Sequence, residues 1–193
     1  STLGMPGAGN SNTVAVPAAT IEGPIAGDPV LVSTFFPLGP LGYERVEYFA
    51  SGTANAYVNV NELQADGKWQ VQASEQTDYK TRIVVIRPID PADFNGTVIV
   101  EWLNVSAGFD NGADWGAAHT EMIRSGYAWV GVSAQKVGID ALLDGSAGLL
   151  LGRTDTAERY ASLLHPGESF SYDIYSQVAQ AIRQPGDVLP MNN

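Results

Sequence analysis

Residues 127–135 read "YAWVGVSAQ", an apolar run that stops at Gly131-Val132-Ser133-Ala134-Gln135. A glycine at 135 would complete Gly-X-Ser-X-Gly, the strand-to-helix turn that lifts a serine hydroxyl to the top of a sheet. Upstream, "TVIVEWLN" (97–104) is a second apolar run. Between the two, "DWGAAHTEMIRSG" (114–126) has a helical rhythm. Trp115, Ala118, Met122 and Ile123 fall near one stripe, and Gly126 is placed as a C-terminal stop. Strand, loop, helix, strand makes a βαβ unit, whose strands are expected to run parallel with a right-handed crossover.

Ser133 meets the requirements of the turn poorly. The position two residues on must be very small for the next helix to pack, and it holds Gln135. A helix should follow at once, but "KVGIDALLDGSAG" carries Gly138 and Gly145, which are expected to break it. An acid and a histidine should come later in the chain. The downstream histidine, His165, leaves too little chain for the strand that would present the acid. Ser133 therefore reads as a strand-end serine, with Gln135 beside it at the rim of a pocket. His165, before Pro166-Gly167, is a third rim candidate.

The other segments extend the pattern. "TRIVVIRP" (81–88) is a continuous apolar run of the kind buried on both faces. In residues 43–60, Ala54, Ala56, Val58 and Val60 alternate with polar residues, a half-wet strand, and Gly52 suggests a bend. "ADGK" (65–68) reads as a turn, and 69–73 as a further short strand. Residues 1–42, rich in Gly, Pro, Ala and Ser, read as an extended arm with a short strand near 20–24. In 169–184, Phe170, Ile174, Val178 and Ile182 mark a long helix that Pro185-Gly186 would end. The connection 134–168 holds a short helix candidate, with Asp155 as N-cap, and is long enough for a lid or binding loop. The expected class is α/β: a mixed, mainly parallel sheet with a β-rich N-terminal part and flanking helices.

Composition bounds the function. With 193 residues, 45% of them apolar, the chain can bury a real core. It has no cysteine, which excludes disulfides, thiolate nucleophiles and Cys-ligated metal. The formal charge of −11, with Lys68, Lys80 and Lys136 the three lysines, argues against nucleic acid and anionic membranes as partners. No apolar run has the length of a membrane span. The polar start "STLGMPGAGNSNT" fits a processed, secreted or periplasmic protein, with a bacterial cytoplasmic one as the alternative.

Chemistry is expected at the carboxyl ends of the buried strands, where open α/β sheets bind ligands. The loop Asn104-Val105-Ser106-Ala107-Gly108 leaves such an end, and its small residues would let backbone N–H groups approach an oxyanion. Glu101 lies inside an apolar strand and must find a partner, an arginine or a backbone donor. His119 reads as a structural histidine and Asp173 as compensation of a helix dipole. No spacing of His, Asp or Glu suggests a metal site, and no Gly-rich loop suggests a nucleotide cofactor.

Several phrases carry a resemblance: "EYFASGTANAY" (47–57), "YKTRIVVIRPIDPADFNGTVIVEWLNVSAGFD" (79–110), "DW" (114–115), "SGYAWVGVSAQKVG" (125–138) and "ERYASLLHPGESFSYDIYSQVAQAIR" (158–183). In this order they resemble the α/β-hydrolase superfamily, and within it a group of bacterial α/β-hydrolase domain proteins. The resemblance implies that residues 43–193 are the N-terminal portion of such a domain. The nucleophile would lie on a strand after the helix 169–184, with acid and histidine further on, all beyond residue 193. It implies a serine ester hydrolase acting on a small-molecule ester, inactive until a C-terminal half or second chain completes the sheet. Residues 104–108 would lie on the oxyanion side, and 127–133 would be the strand next to the catalytic one. The alternative is a non-catalytic secreted binding module on the same scaffold.

Overall fold

The computed structural model describes residues 15–184. The first part of the arm and the Pro185-Gly186 stop lie outside these described residues. Five strands form one sheet: β1 (Thr20–Ile25), β2 (Tyr43–Asn59), β3 (Val71–Pro88), β4 (Val98–Trp102) and β5 (Ala128–Val132). The helices are α1 (Ala113–Arg124), α2 (Lys136–Leu143), α3 (Ser146–Leu149), α4 (Thr156–Tyr160) and α5 (Ser171–Arg183).

Strand order is β1-β2-β3-β5-β4. β4 and β5 pair in parallel, Val98 opposite Ala128 through Trp102 opposite Val132, joined by α1 as the periodicity predicts. The other three pairings are antiparallel, which corrects the expectation of a mainly parallel sheet. A run buried on both faces says nothing of its neighbours' direction. β2 and β3 are consecutive and share a turn, so they must run antiparallel, and β3 then meets β5 antiparallel as well. β5 has both edges paired, so among the described residues the edge strand of the parallel pair is β4 rather than the 127–133 strand.

Alternation along the strands splits the core between two faces. Ile83, Val85, Val130 and Val132 pack with Val178, Ala181 and Ile182 of α5. Val84, Ile86 and Trp129 pack with Trp115 and Met122 of α1. The predicted α1 stripe is the buried one, and Gly126 follows it with φ +74°. The space there forbids any side chain, since a Cβ on Gly126 would lie 2.2 Å from the Asp93 carbonyl oxygen.

The hairpin differs from its expected form. β3 is a single strand of 18 residues that takes in 71–73 of the short strand read at 69–73 and leaves Trp69 and Gln70 outside. Gly52 pairs regularly with Tyr79, and the irregularity falls between Asn55 and Tyr57. Gly52 instead makes room for α5, because a Cβ there would meet Gln177 Oε1 at 2.7 Å. Residues 20–25 pair with β2, and Val30, Leu31 and Leu38 are buried. No helix among the described residues is long and apolar enough to cross a membrane.

Candidate functional site

The carboxyl ends of β4 and β5 open onto the 104–108 loop and the turn 133–135. Asn104 and Asn111 exchange backbone hydrogen bonds of 3.1 and 2.9 Å that close the loop. Asn104 Oδ1 accepts from the Ser106 N–H at 3.0 Å, and the Gly108 N–H donates to the Val105 carbonyl at 2.9 Å. Gly108, at φ +85°, permits the turn. The N–H groups of Val105 and Ala107 find no protein acceptor among the described residues. Asn104, Ser106, Ala107 and Gly108 are exposed, and Val105 is half-buried.

Behind the loop, Glu101 resolves its burial with backbone donors. Its carboxylate accepts from the N–H groups of Asp114 (2.9 Å) and Trp115 (3.0 Å) at the start of α1, and from Trp129 Nε1 (2.8 Å). A negative charge at a helix N-terminus is favoured by the free N–H groups and the helix dipole. Glu101 thus anchors the helix that follows the loop. His119 is held within its own helix, Nδ1 lying 3.1 Å from the Trp115 and Gly116 carbonyls.

Ser133 is fully buried. Its hydroxyl donates to Asp110 Oδ2 at 2.5 Å and accepts from Arg82 Nε at 2.9 Å. Arg82, also fully buried, further donates to the Val30 carbonyl (2.5 Å), Glu47 (3.3 Å), the Tyr160 hydroxyl (3.3 Å) and Asp110 (3.1 Å). Glu47 takes a second cation, Arg159, at 2.5 Å. Burial works against the Arg82 charge, but Tyr160, Asp110 and Glu47 outweigh it and hold the guanidinium above its ordinary value. Ser133 is therefore a member of a buried ionic network that ties β2, β3, β5 and α4 together.

A helix does follow Ser133, contrary to the reading of Gly138 as a breaker. α2 starts at Lys136 and passes through Gly138. The glycine gives way to Asp110, whose Oδ1 would lie 2.1 Å from a Cβ there. That oxygen is buried and has no hydrogen-bond partner among the described residues. Asp155 makes no side-chain cap on α4 and pairs with Arg153 instead.

His165 is buried with both ring nitrogens engaged. Nε2 lies 2.9 Å from the Ala134 carbonyl, and Nδ1 accepts from the Gly167 N–H at 3.3 Å. Burial lowers its pKa, which favours the neutral ring with the proton on Nε2. Gln135 is half-buried and its Oε1 accepts from Trp102 Nε1 at 2.9 Å. Trp102 in turn packs on Tyr172 and Tyr175 at centroid distances of 5.4 and 5.3 Å.

These residues flank the β4 edge. The Thr97 carbonyl and the Leu103 N–H bond to β5, so in a parallel ladder Val98, Val100 and Trp102 direct theirs outward. The Val100 carbonyl accepts from the Tyr175 hydroxyl at 2.8 Å. Sequence reasoning missed Arg82, Asp110, Glu47 and Tyr175. Arg82 stood out within an apolar run in the same way as Glu101, and that signal could have found it.

The model of one protein family, described as "Alpha/beta hydrolase domain", matches residues 13–193. No curated protein and no solved structure matches the chain.

Proposed function

Because the chain belongs to the alpha/beta hydrolase domain family, we propose that it forms the oxyanion side of a serine ester hydrolase whose nucleophile, acid and catalytic histidine come from a segment outside these 193 residues. The observation that carries this reading is that β4 pairs with a strand on one side alone among the described residues, its Val100 carbonyl on the other side taken by the Tyr175 hydroxyl, and has the 104–108 loop at its carboxyl end. A further strand pairing there in parallel would bring its own carboxyl end beside the N–H groups of Val105 and Ala107, which have no acceptor among the described residues. These donors would stabilise the negative oxygen that forms when a serine attacks an ester carbonyl. Ser133 and His165 do not replace the missing pair. The serine hydroxyl is committed to Asp110 and Arg82, and the imidazole to Ala134 and Gly167. Their role is to hold the 133–135 turn, with Gln135 bracing Trp102.

The test is labelling by a fluorophosphonate together with hydrolysis of an aryl ester. The 193-residue chain is expected to be silent in both. Addition of the completing segment, fused or as a second chain, should restore both, with the label on a serine of that segment. Hydrolysis by the 193-residue chain that Ser133→Ala abolishes would overturn the proposal. The alternative function, a secreted binding module on this scaffold, predicts that no completing segment restores hydrolysis.

A further inference from the structure

A groove of about 560 Å³ opens between the far end of the β2–β3 hairpin and the first turns of α5. Its size is that of a small-molecule site. Tyr57, Leu63, Trp69, Val71 and Tyr172 line it, and the buried carboxylate of Asp173 lies among them. Trp69 and Tyr172 are 54% and 65% exposed. Both rings are held in place: Trp69 Nε1 donates to the Gln64 carbonyl at 3.2 Å, and Tyr172 packs on Trp102.

Asp173 is the charged side chain among the residues that line the groove. Asp173 Oδ2 accepts from the Asn55 N–H (2.7 Å), Asn55 Nδ2 (3.0 Å) and Gln177 Nε2 (3.2 Å), all neutral donors. No lysine or arginine pairs with Asp173 among the described residues. The lining residues of the hairpin and of α5 fall within 57–71 and 169–176, and these segments hold Glu62, Asp66 and Asp173 against the single cation Lys68. Lys68 is turned to solvent near Asp66. An apolar anion would meet repulsion here, and a neutral ligand would leave the field unused.

We propose that this groove binds an organic cation of the quaternary-ammonium type carrying an apolar body. The ring faces of Tyr57, Trp69 and Tyr172 attract the cationic head through their quadrupoles. Asp173 supplies the countercharge from below, and Leu63 and Val71 cover the body. A metal ion would find a poor site, since no metal-binding cluster of His, Asp or Glu occurs among the described residues. The inference is independent of the ester-hydrolase reading, because it concerns binding by this chain alone.

Isothermal titration of the full chain with benzyltrimethylammonium tests it, with benzyl alcohol and benzoate as neutral and anionic controls. The cation is expected to bind about tenfold more tightly than benzyl alcohol, and benzoate not to bind. Trp69→Ala and Asp173→Asn should each weaken the cation about tenfold. Trp69 is an exposed residue, so its variant tests the site even if Asp173→Asn fails to fold. Equal affinity for cation and alcohol, no binding of the cation, or binding that Trp69→Ala leaves unchanged would overturn the proposal.

Discussion

Ser133→Ala separates a structural serine from a nucleophile. The substitution removes one oxygen from a fully buried site and opens almost no cavity, so the cost comes from hydrogen bonding. Two bonds are lost, a 2.5 Å donation to the Asp110 carboxylate and a 2.9 Å acceptance from the Arg82 guanidinium. Hydrogen bonds to charged groups contribute about 1.5–3 kcal/mol each. The two share partners and will not add fully. Among the described residues Asp110 already has one oxygen without a partner, so the loss leaves it holding a single bond there, from Arg82. The expected destabilisation is about 2–4 kcal/mol. Urea unfolding followed by circular dichroism would read it as a lowered midpoint at unchanged slope. Ser106→Ala, at an exposed loop position, is the control and should stay within about 0.5 kcal/mol. A Ser133→Ala variant as stable as the parent would refute the network account, because catalytic hydroxyls are dispensable for folding and buried bridging ones are not.

Three further perturbations test neighbouring features. Glu101→Gln keeps the shape but turns an N–H donor toward the start of α1; by urea titration it should cost about 2–4 kcal/mol. Gly138→Ala would gain about 1 kcal/mol from helix propensity, yet its Cβ would collide with Asp110 Oδ1, so a net loss of about 1–3 kcal/mol in the same assay is expected. His165 has a folded pKa below its unfolded value, so the unfolded chain binds the extra proton first as pH falls. Its stabilising contribution is complete above the unfolded value near 6.5 and is lost as pH drops toward the folded value. The Tm measured from pH 7.5 to 5 should fall more steeply for the parent than for His165→Gln.

The β4-α1-β5 unit was legible because its signals are local. Two apolar runs flank one apolar stripe; β5 is buried throughout, while β4 is half-buried with Glu101 its buried member. The first half of β3 was legible only in part, at 71–73, since residues 71–76 are exposed on both faces and carry no alternation. Strand direction was lost for a related reason: residues 83–86 are buried whichever way the neighbour runs. At the site, the chemistry of Glu101 announced that a partner was needed, while the partner's identity depended on where α1 begins. Ser133 follows the last residue of β5 and is fully buried. Its role depends on Arg82 and Asp110, which are remote in sequence and meet it only after the sheet has formed. Gly138 misled because a glycine in a helix reads as a breaker, whereas here it marks the close approach of a carboxylate.

Trp115 and Trp129 lie with ring centroids 5.6 Å apart and an interplanar angle of 49°, both fully buried. Two identical chromophores that close, and held at a fixed tilt, couple their electronic transitions and split them into a pair of bands of opposite sign in circular dichroism. One indole belongs to α1 and the other to β5, with the Glu101 carboxylate on the N–H of the second. The protein thus carries an internal optical gauge of whether the crossover helix is seated on the sheet. It can be read without a label, in unfolding experiments and while any further strand is added at the β4 edge.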